Sequence, residues 1–90
     1  MSLGDDSVIF RPIHTIAAEI LDDWKNPSVY AKPYIEVMLR LDSIRDTYIA
    51  EDARSVLLYF LNNAKGWRGS KARAIKDEIR AMIRSTGYSI

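Results

Sequence analysis

Apolar residues recur with the period of a helix in four stretches of the chain, with polar residues on the opposite faces. The clearest stretch follows Pro12, and its apolar positions are Ile13, Ile16, Ala17, Ile20, Leu21 and Trp24. Proline suits the first turn of a helix because its φ angle is already near the helical value. Asn26 precedes a second proline, Pro27, and a residue in that position disfavours the helical conformation. The pattern therefore predicts a first amphipathic helix from Pro12 to about Asn26.

The densest apolar segment runs from Ala53 to Ala64. On a helical wheel its apolar positions form one arc of about 140°, and they are Ala53, Val56, Leu57, Phe60, Leu61 and Ala64. An arc of that width exceeds the stripe of a helix that packs on one side only. We therefore predict a central helix that is packed on two sides and could reach every other helix. Gly66 is expected to end it with a left-handed cap.

A short helix is predicted to begin at Pro33, and only Glu36 and Arg40 interrupt its apolar residues. These apolar residues are Tyr34, Ile35, Val37, Met38, Leu39 and Leu41. So much apolar surface predicts either enclosure on most sides or a face left over for a partner. Residues 42–49 contain aspartate and hydroxyl side chains that compete for backbone hydrogen bonds, which predicts a loop. Its apolar residues Ile44, Tyr48 and Ile49 are expected to point inward.

A last helix is predicted from Lys71 to about Thr86, after a bend that Gly69 permits. Ser70 is expected to be its N-cap, and Gly87 its left-handed C′ residue. Its core positions are Ala72, Ile75, Ile79, Met82 and Ile83. Four helices, short links and no strand pattern predict an all-α protein, either a small four-helix bundle or an orthogonal four-helix array.

Residues 1–10 lack periodicity and are predicted to be a flexible leader, although Val8, Ile9 and Phe10 are apolar enough to dock on the core. Residues 11–90 are expected to form a single helical domain. The chain has no cysteine, which excludes disulfides and thiolate metal sites and makes the cytoplasm the default location. No stretch approaches the ~18 apolar residues of a membrane span, and the N-terminus is unlike a secretory signal. We expect a protein that is neither exported nor membrane-spanning.

Charge is distributed unevenly along the chain. Residues 1–64 hold 6 Lys/Arg and 10 Asp/Glu, whereas residues 65–90 hold 7 Lys/Arg and 2 Asp/Glu. On the last helix, cations recur at helical spacing in one stripe, formed by Arg73, Lys76, Arg80 and Arg84. Lys65, Arg68 and Lys71 could extend this stripe, which could line the phosphates of a nucleic acid or contact an acidic partner. The alternative is a solvated face whose cations complement the C-terminal end of the helix dipole.

Catalytic and metal-binding signatures are weak. His14 is the only histidine, so a site with two histidine ligands cannot form within one chain, and we expect a half-buried structural residue. Glu51 and Asp52 precede the central helix, where capping explains them without catalysis. Ser55, Ser70 and Ser85 have no neighbouring base of the kind that nucleophilic catalysis needs. We expect no enzymatic activity, no cofactor and no metal.

Trp67 lies between two glycines in the link before the last helix. An indole there is typically an anchor that fills the gap between helices, and we expect it to lie near Trp24. The alternative is an exposed recognition residue, since tryptophan and arginine are common at interface hot spots.

Six segments of the chain carry a family resemblance, and they are residues 16–20, 23–25, 31–34, 57–64, 67–69 and 72–78, including the Tyr59-Phe60-Leu61 run and Trp67-Arg68-Gly69. Together they resemble small, uncharacterised helical proteins encoded by bacteriophages and integrated mobile elements. The resemblance implies a small accessory or regulatory protein of a bacterial cytoplasm and carries no functional residues with it.

These observations leave two functional hypotheses. The first is a non-enzymatic accessory protein that acts by protein–protein contact. This hypothesis includes a homodimer, in which the contact is with a second copy of the chain. Its interface residues are expected to be Tyr34, Val37, Met38, Leu41 and Trp67. The alternative is a nucleic-acid-binding protein that uses the basic stripe of the last helix, with contacts from Arg68, Arg73, Lys76, Arg80 and Arg84.

Overall fold

The computed structural model describes residues 10–48 and 51–90. Its helices are α1 (Ile13–Asp23), α2 (Lys32–Met38), α3 (Ala53–Asn62) and α4 (Ser70–Arg84). The all-α prediction of a small four-helix arrangement is confirmed. α1 and α3 each pack against both α2 and α4, so the four helices form a ring around the core. α3 is packed on two sides as predicted, but the other three helices each have two neighbours as well, and α3 does not pack substantially against α1. The prediction of a central helix is therefore wrong.

The core contains most of the residues that the helical periodicity selected, but Leu21 is exposed and Trp24 and Leu61 are only partly buried. On α1 and α3 the fully buried positions are Ile13, Ile16, Ala17, Ile20, Ala53, Val56, Leu57 and Phe60. On α4 they are Ala72, Ile75, Ile79, Met82 and Ile83. α2 adds Ile35 and Met38, and Leu41 is buried just after it. α2 therefore turns much of its apolar surface inward.

The loop predicted for residues 42–49 is wrong at Thr47 and Tyr48, which belong to a minimal antiparallel ladder. Strand β1 (Thr47–Tyr48) pairs with β2 (Glu51–Asp52), with Thr47 opposite Asp52. Threonine and tyrosine favour extended backbone, a preference that the loop prediction ignored. The expected competition for backbone hydrogen bonds does occur, since the Asp46 carboxylate accepts from the N–H groups of Asp42 and Ser43 at 2.8 and 2.9 Å. Ile44 packs against the core as predicted.

The helix ends agree with the sequence at some caps and differ at others. The Asp52 carboxylate caps α3 by accepting from Ser55 N at 2.7 Å, as predicted. Gly66 is not a left-handed cap, because α3 already ends at Asn62 and Gly66 has no positive φ angle. Ser70 is not the N-cap of α4 either. Gly69 holds that place with a φ angle of 113°.

The leader prediction for residues 1–10 lies outside the described residues except at its last position. Phe10 is partly buried and packs against the core, as expected of a docked arm. The inward positions expected for the side chains of Tyr48 and Ile49 also lie outside the described part. Gly87 has the positive φ angle predicted for it, 90°.

Candidate anion-binding groove

A groove of about 350 Å³ lies between α4 and the link that joins it to α3. Its lining residues are Lys65, Trp67, Arg68, Gly69, Ala72, Arg73, Lys76 and Arg80. Five of these eight residues are cationic and none is acidic, so we call it the basic groove. It unites part of the predicted stripe with two cations of the link, Lys65 and Arg68.

Gly69 brings these two groups of cations together. The link approaches α4 with Gly69 at φ 113° and ψ 176°, a conformation that is essentially restricted to glycine. The chain then enters α4 at once, and Arg73 and Lys76 follow on the first two turns of the helix. Arg68 and Arg73 therefore line the same groove although they lie on different elements.

Lys76 and Arg80 are partly buried, whereas the other three cations of the groove are exposed. The ammonium group of Lys76 donates a hydrogen bond of 2.6 Å to the backbone carbonyl of Trp67. It also lies 5.8 Å from the centroid of the Trp67 ring, within the range of a cation–π contact. Burial lowers the pKa of Lys76, and repulsion from Arg80 and Arg68 lowers it further. The groove therefore carries excess positive charge, and an anion bound there would reduce the repulsion among its cations.

Most other cations of the groove have no acidic partner. Arg80 forms an exposed ion pair of 3.1 Å with Asp77. Among residues 10–48 and 51–90, no carboxylate lies within ion-pair distance of Lys65, Arg68 or Arg73, which are all exposed. These three side chains are free to meet an incoming anion.

The far side of α4 carries a different charge arrangement. Arg11 donates to Glu19 at 2.6 Å and to Glu78 at 2.7 and 3.0 Å, and Lys71 lies 3.6 Å from Glu19. Lys71 therefore belongs to an ion-pair network with α1, and its predicted place in the basic stripe is wrong. Arg84 is exposed one turn beyond Arg80 and does not line the groove.

Trp67 is an anchor, as the first interpretation predicted. Its side chain is 2% exposed and stacks on Trp24, with ring centroids 5.8 Å apart. Its indole N–H donates to the Asp23 carboxylate at 2.8 Å. The alternative of an exposed recognition residue is wrong.

The apolar interface predicted on α2 is only partly at the surface. Met38 and Leu41 are buried in the core, and with Trp67 they are not available to a partner, which corrects the prediction for these three residues. Tyr34 and Val37 are partly buried and pack against the core. The periodicity of a single helix could not reveal which neighbours cover it.

Two surface features were not predicted. Val29 and Tyr30, in the turn before α2, are 70% and 72% exposed. A second groove adjoins the basic one and shares Lys65, Lys76 and Arg80 with it. Its other lining residues are Leu58, Leu61, Asn62 and Ile90, and we call it the aliphatic groove. Ile90 reaches it only because the residues after α4 return toward α3, which no local pattern encodes.

A larger groove of about 430 Å³ lies near the C-terminal end of α4, and its charges are mixed, since Arg11 and Arg45 line it together with Asp42.

The His14 side chain is half exposed, with Nε2 3.7 Å from the Asp42 carboxylate. Within the described part of the chain, no cluster of three or more histidine or acidic residues could hold a metal ion. None of the helices described combines the length and apolar character that crossing a bilayer requires.

Comparison with protein-family models, curated proteins and solved structures yields no significant match. The expected bacteriophage or mobile-element context therefore stays a prediction.

Proposed function

We propose that this protein binds nucleic acid through the basic groove by contacting phosphates, without reading the base sequence. The observation that carries the proposal is the lining of one groove by five cations and no acid. Neutralising phosphates with lysine and arginine releases condensed counterions, and this release drives sequence-independent binding.

The composition of the groove favours a polyanion over a protein partner. Protein interfaces have a core that is depleted in charge and enriched in aromatic and apolar side chains. The apolar residues that line the groove, Trp67 and Ala72, are buried beneath the cations. A partner protein would therefore contact mainly charged side chains. A chain of regularly spaced phosphates fits such a surface better.

The spacing along α4 also supports phosphate contact. The α4 cations of the groove, Arg73, Lys76 and Arg80, are three or four residues apart, which corresponds to steps of about 4.5 to 6 Å along the helix. No asparagine, glutamine, serine or threonine lines the basic groove. Asparagine and glutamine are the side chains that read adenine, and serine and threonine also contact base edges. Arginine can read guanine, but it is also one of the main side chains that contact phosphate oxygens. The groove therefore lacks most types of base-reading side chain, and its cations are suited to contacts with the backbone.

The proposal is tested by fluorescence anisotropy of a labelled mixed-sequence duplex over a range of salt concentrations. Five contacts predict a slope of log K against log salt of about −4 to −5. The double variant Arg68→Gln/Arg73→Gln should flatten this slope by up to about two. Lys32→Gln/Arg45→Gln is the matched control, because it removes the same charge from exposed positions outside the groove, and it should change the slope much less.

Two outcomes would reject the proposal. One is no detectable binding at low salt with micromolar protein. The other is equal or tighter binding of polyglutamate of the same charge, which would point to an acidic protein partner instead.

A second candidate function is contact with another protein, and the exposed pair Val29 and Tyr30 favours it. Tyrosine is enriched at interfaces, and a homodimer or a heterologous complex would suit a small accessory protein. Sedimentation equilibrium at tens of micromolar tests the homodimer version. A concentration-independent monomer would remove it, whereas a dimer that Val29→Ser/Tyr30→Ser dissociates would support it.

A further inference from the structure

Resting on the proposed nucleic-acid function, we infer that the basic groove takes double-stranded nucleic acid in preference to single strands. The two forms present the same phosphates, but they require different contacts from a protein that binds them. Single-strand binders combine a cationic groove with exposed aromatic rings on which the bases stack. A duplex keeps its bases stacked on one another and offers its phosphates outward.

The basic groove has no ring on which a base could stack. Trp67 is the only aromatic residue that lines it within the described part of the chain. Its ring already stacks on Trp24 and meets Phe60 edge-on at a centroid distance of 6.4 Å, while the Lys76 ammonium lies over it at 5.8 Å. At 2% exposure, this indole could receive a base only if the packing around it were broken.

The adjoining surface does not supply a ring either. The aliphatic groove is lined by Leu58, Leu61 and Ile90 beside its polar and cationic members, and these side chains lack a π-face. The exposed tyrosines of the described residues line neither groove. Tyr59 packs against Tyr34 at 5.4 Å, Tyr88 lies beneath the Arg54 guanidinium at 5.2 Å, and Tyr30 belongs to the turn before α2.

Without stacking, affinity depends on the charge density of the ligand. Each phosphate contact contributes a slope of about 0.9 on B-DNA but about 0.7 on a single strand, because the duplex condenses more counterions. If the two forms bind equally at 1 M salt, five contacts predict a preference for duplex of about sevenfold at 150 mM salt and about twentyfold at 50 mM. The preference should therefore grow as salt is lowered.

The test compares a labelled 16-base-pair duplex with each of its separated strands and with oligo-dT of the same length, using anisotropy at 50 and 150 mM salt. The expected result is tighter binding of the duplex, by factors near those above, with a steeper salt slope. Arg68→Gln/Arg73→Gln should weaken duplex binding and Lys32→Gln/Arg45→Gln should not.

Equal or tighter binding of single strands would overturn this inference while leaving the proposed function intact. Strong quenching of tryptophan fluorescence by oligo-dT would also overturn it, because it would reveal a base stacked on an indole. Failure of every nucleic acid to bind would instead reject the proposed function itself.

Discussion

The ammonium group of Lys76 lies 2.6 Å from the backbone oxygen of Trp67 and 5.8 Å from the centroid of its ring. One side chain of α4 therefore holds the link that carries Lys65 and Arg68. Lys76 has a structural role in addition to its charge, which the sequence pattern of an exposed stripe did not indicate.

We expect Lys76→Gln to lower the free energy of unfolding by about 1 kcal/mol, because Trp67 loses a charged hydrogen-bond donor. Arg84→Gln, on the same face of the helix but exposed, should change it by less than about 0.5 kcal/mol. Urea denaturation of both variants measures the difference. Equal values would mean that Lys76 does not hold the link.

Phe60 is fully buried at the middle of α3 and contacts Trp67 edge-on. Phe60→Ala should cost about 3 to 5 kcal/mol through lost burial and the cavity that remains. Tyr59→Ala is the control, because the neighbouring side chain is 47% exposed and its removal should cost far less. Thermal melts of the two variants would contradict the assigned core if their midpoints were alike.

Gly69 should tolerate alanine poorly although nothing lies within 4 Å of the added Cβ. The cost comes from the backbone alone, since φ 113° is strained for any residue with a side chain, and it should be about 1 to 3 kcal/mol. Ser70→Ala should be nearly neutral, because Gly69 and not Ser70 is the N-cap of α4.

Gly66→Ala is the matched control for Gly69→Ala. Its φ angle is not positive and its Cβ would also meet nothing within 4 Å, so the change should be neutral or slightly stabilising. A large loss for Ser70→Ala, or equal effects of the two glycine substitutions, would contradict the cap geometry.

Acid should destabilise the protein through three carboxylates. The Arg11 guanidinium holds the pKa of Glu19 below its usual value. Backbone N–H groups do the same for the pKa of Asp46, chiefly from Ser43, and for the pKa of Asp52, from Ser55. When folding lowers the pKa of a carboxyl group, the group stabilises the folded state at any pH above its pKa in the unfolded chain, which is about 4. This stabilisation is lost as the pH falls through the lower pKa of the folded state.

The melting temperature should therefore hold steady from neutral pH to about 5 and fall below about 4. Asp52→Asn should make this fall shallower, since asparagine caps a helix about as well but does not titrate in this range. An unchanged acid dependence in that variant would show that the cap at Asp52 does not contribute to it.

The sequence was most informative where one helix face decides burial. The spacing of Ile13, Ile16 and Ile20 identified α1 directly, and the wide arc around Phe60 identified a helix packed on two sides. It was less informative where tertiary contacts decide. The burial of Met38 and Leu41 depends on the helices that cover them, and the positive φ angle of Gly69 depends on the path of the link.

The candidate groove could be predicted only in part for the same reason. Helical spacing correctly placed Arg73, Lys76 and Arg80 on one face, because that relation lies within a single element. The pairing of Lys71 with Glu19 requires the packing of α4 against α1, which separates this cation from the others. The approach of Arg68 to the same groove depends on the turn at Gly69.

The ring of helices bears on how the chain reaches its folded state. Its contacts between α1 and α2, α2 and α3, and α3 and α4 join neighbours in sequence, whereas the contact of α1 with α4 joins distant segments. A chain whose contacts are mostly local is expected to fold in microseconds to milliseconds. The contact between α1 and α4 should form late, because it joins segments that are far apart in sequence. Loss of the bond between Arg11 and Glu78, which spans that closure, should then speed unfolding and leave the refolding rate almost unchanged.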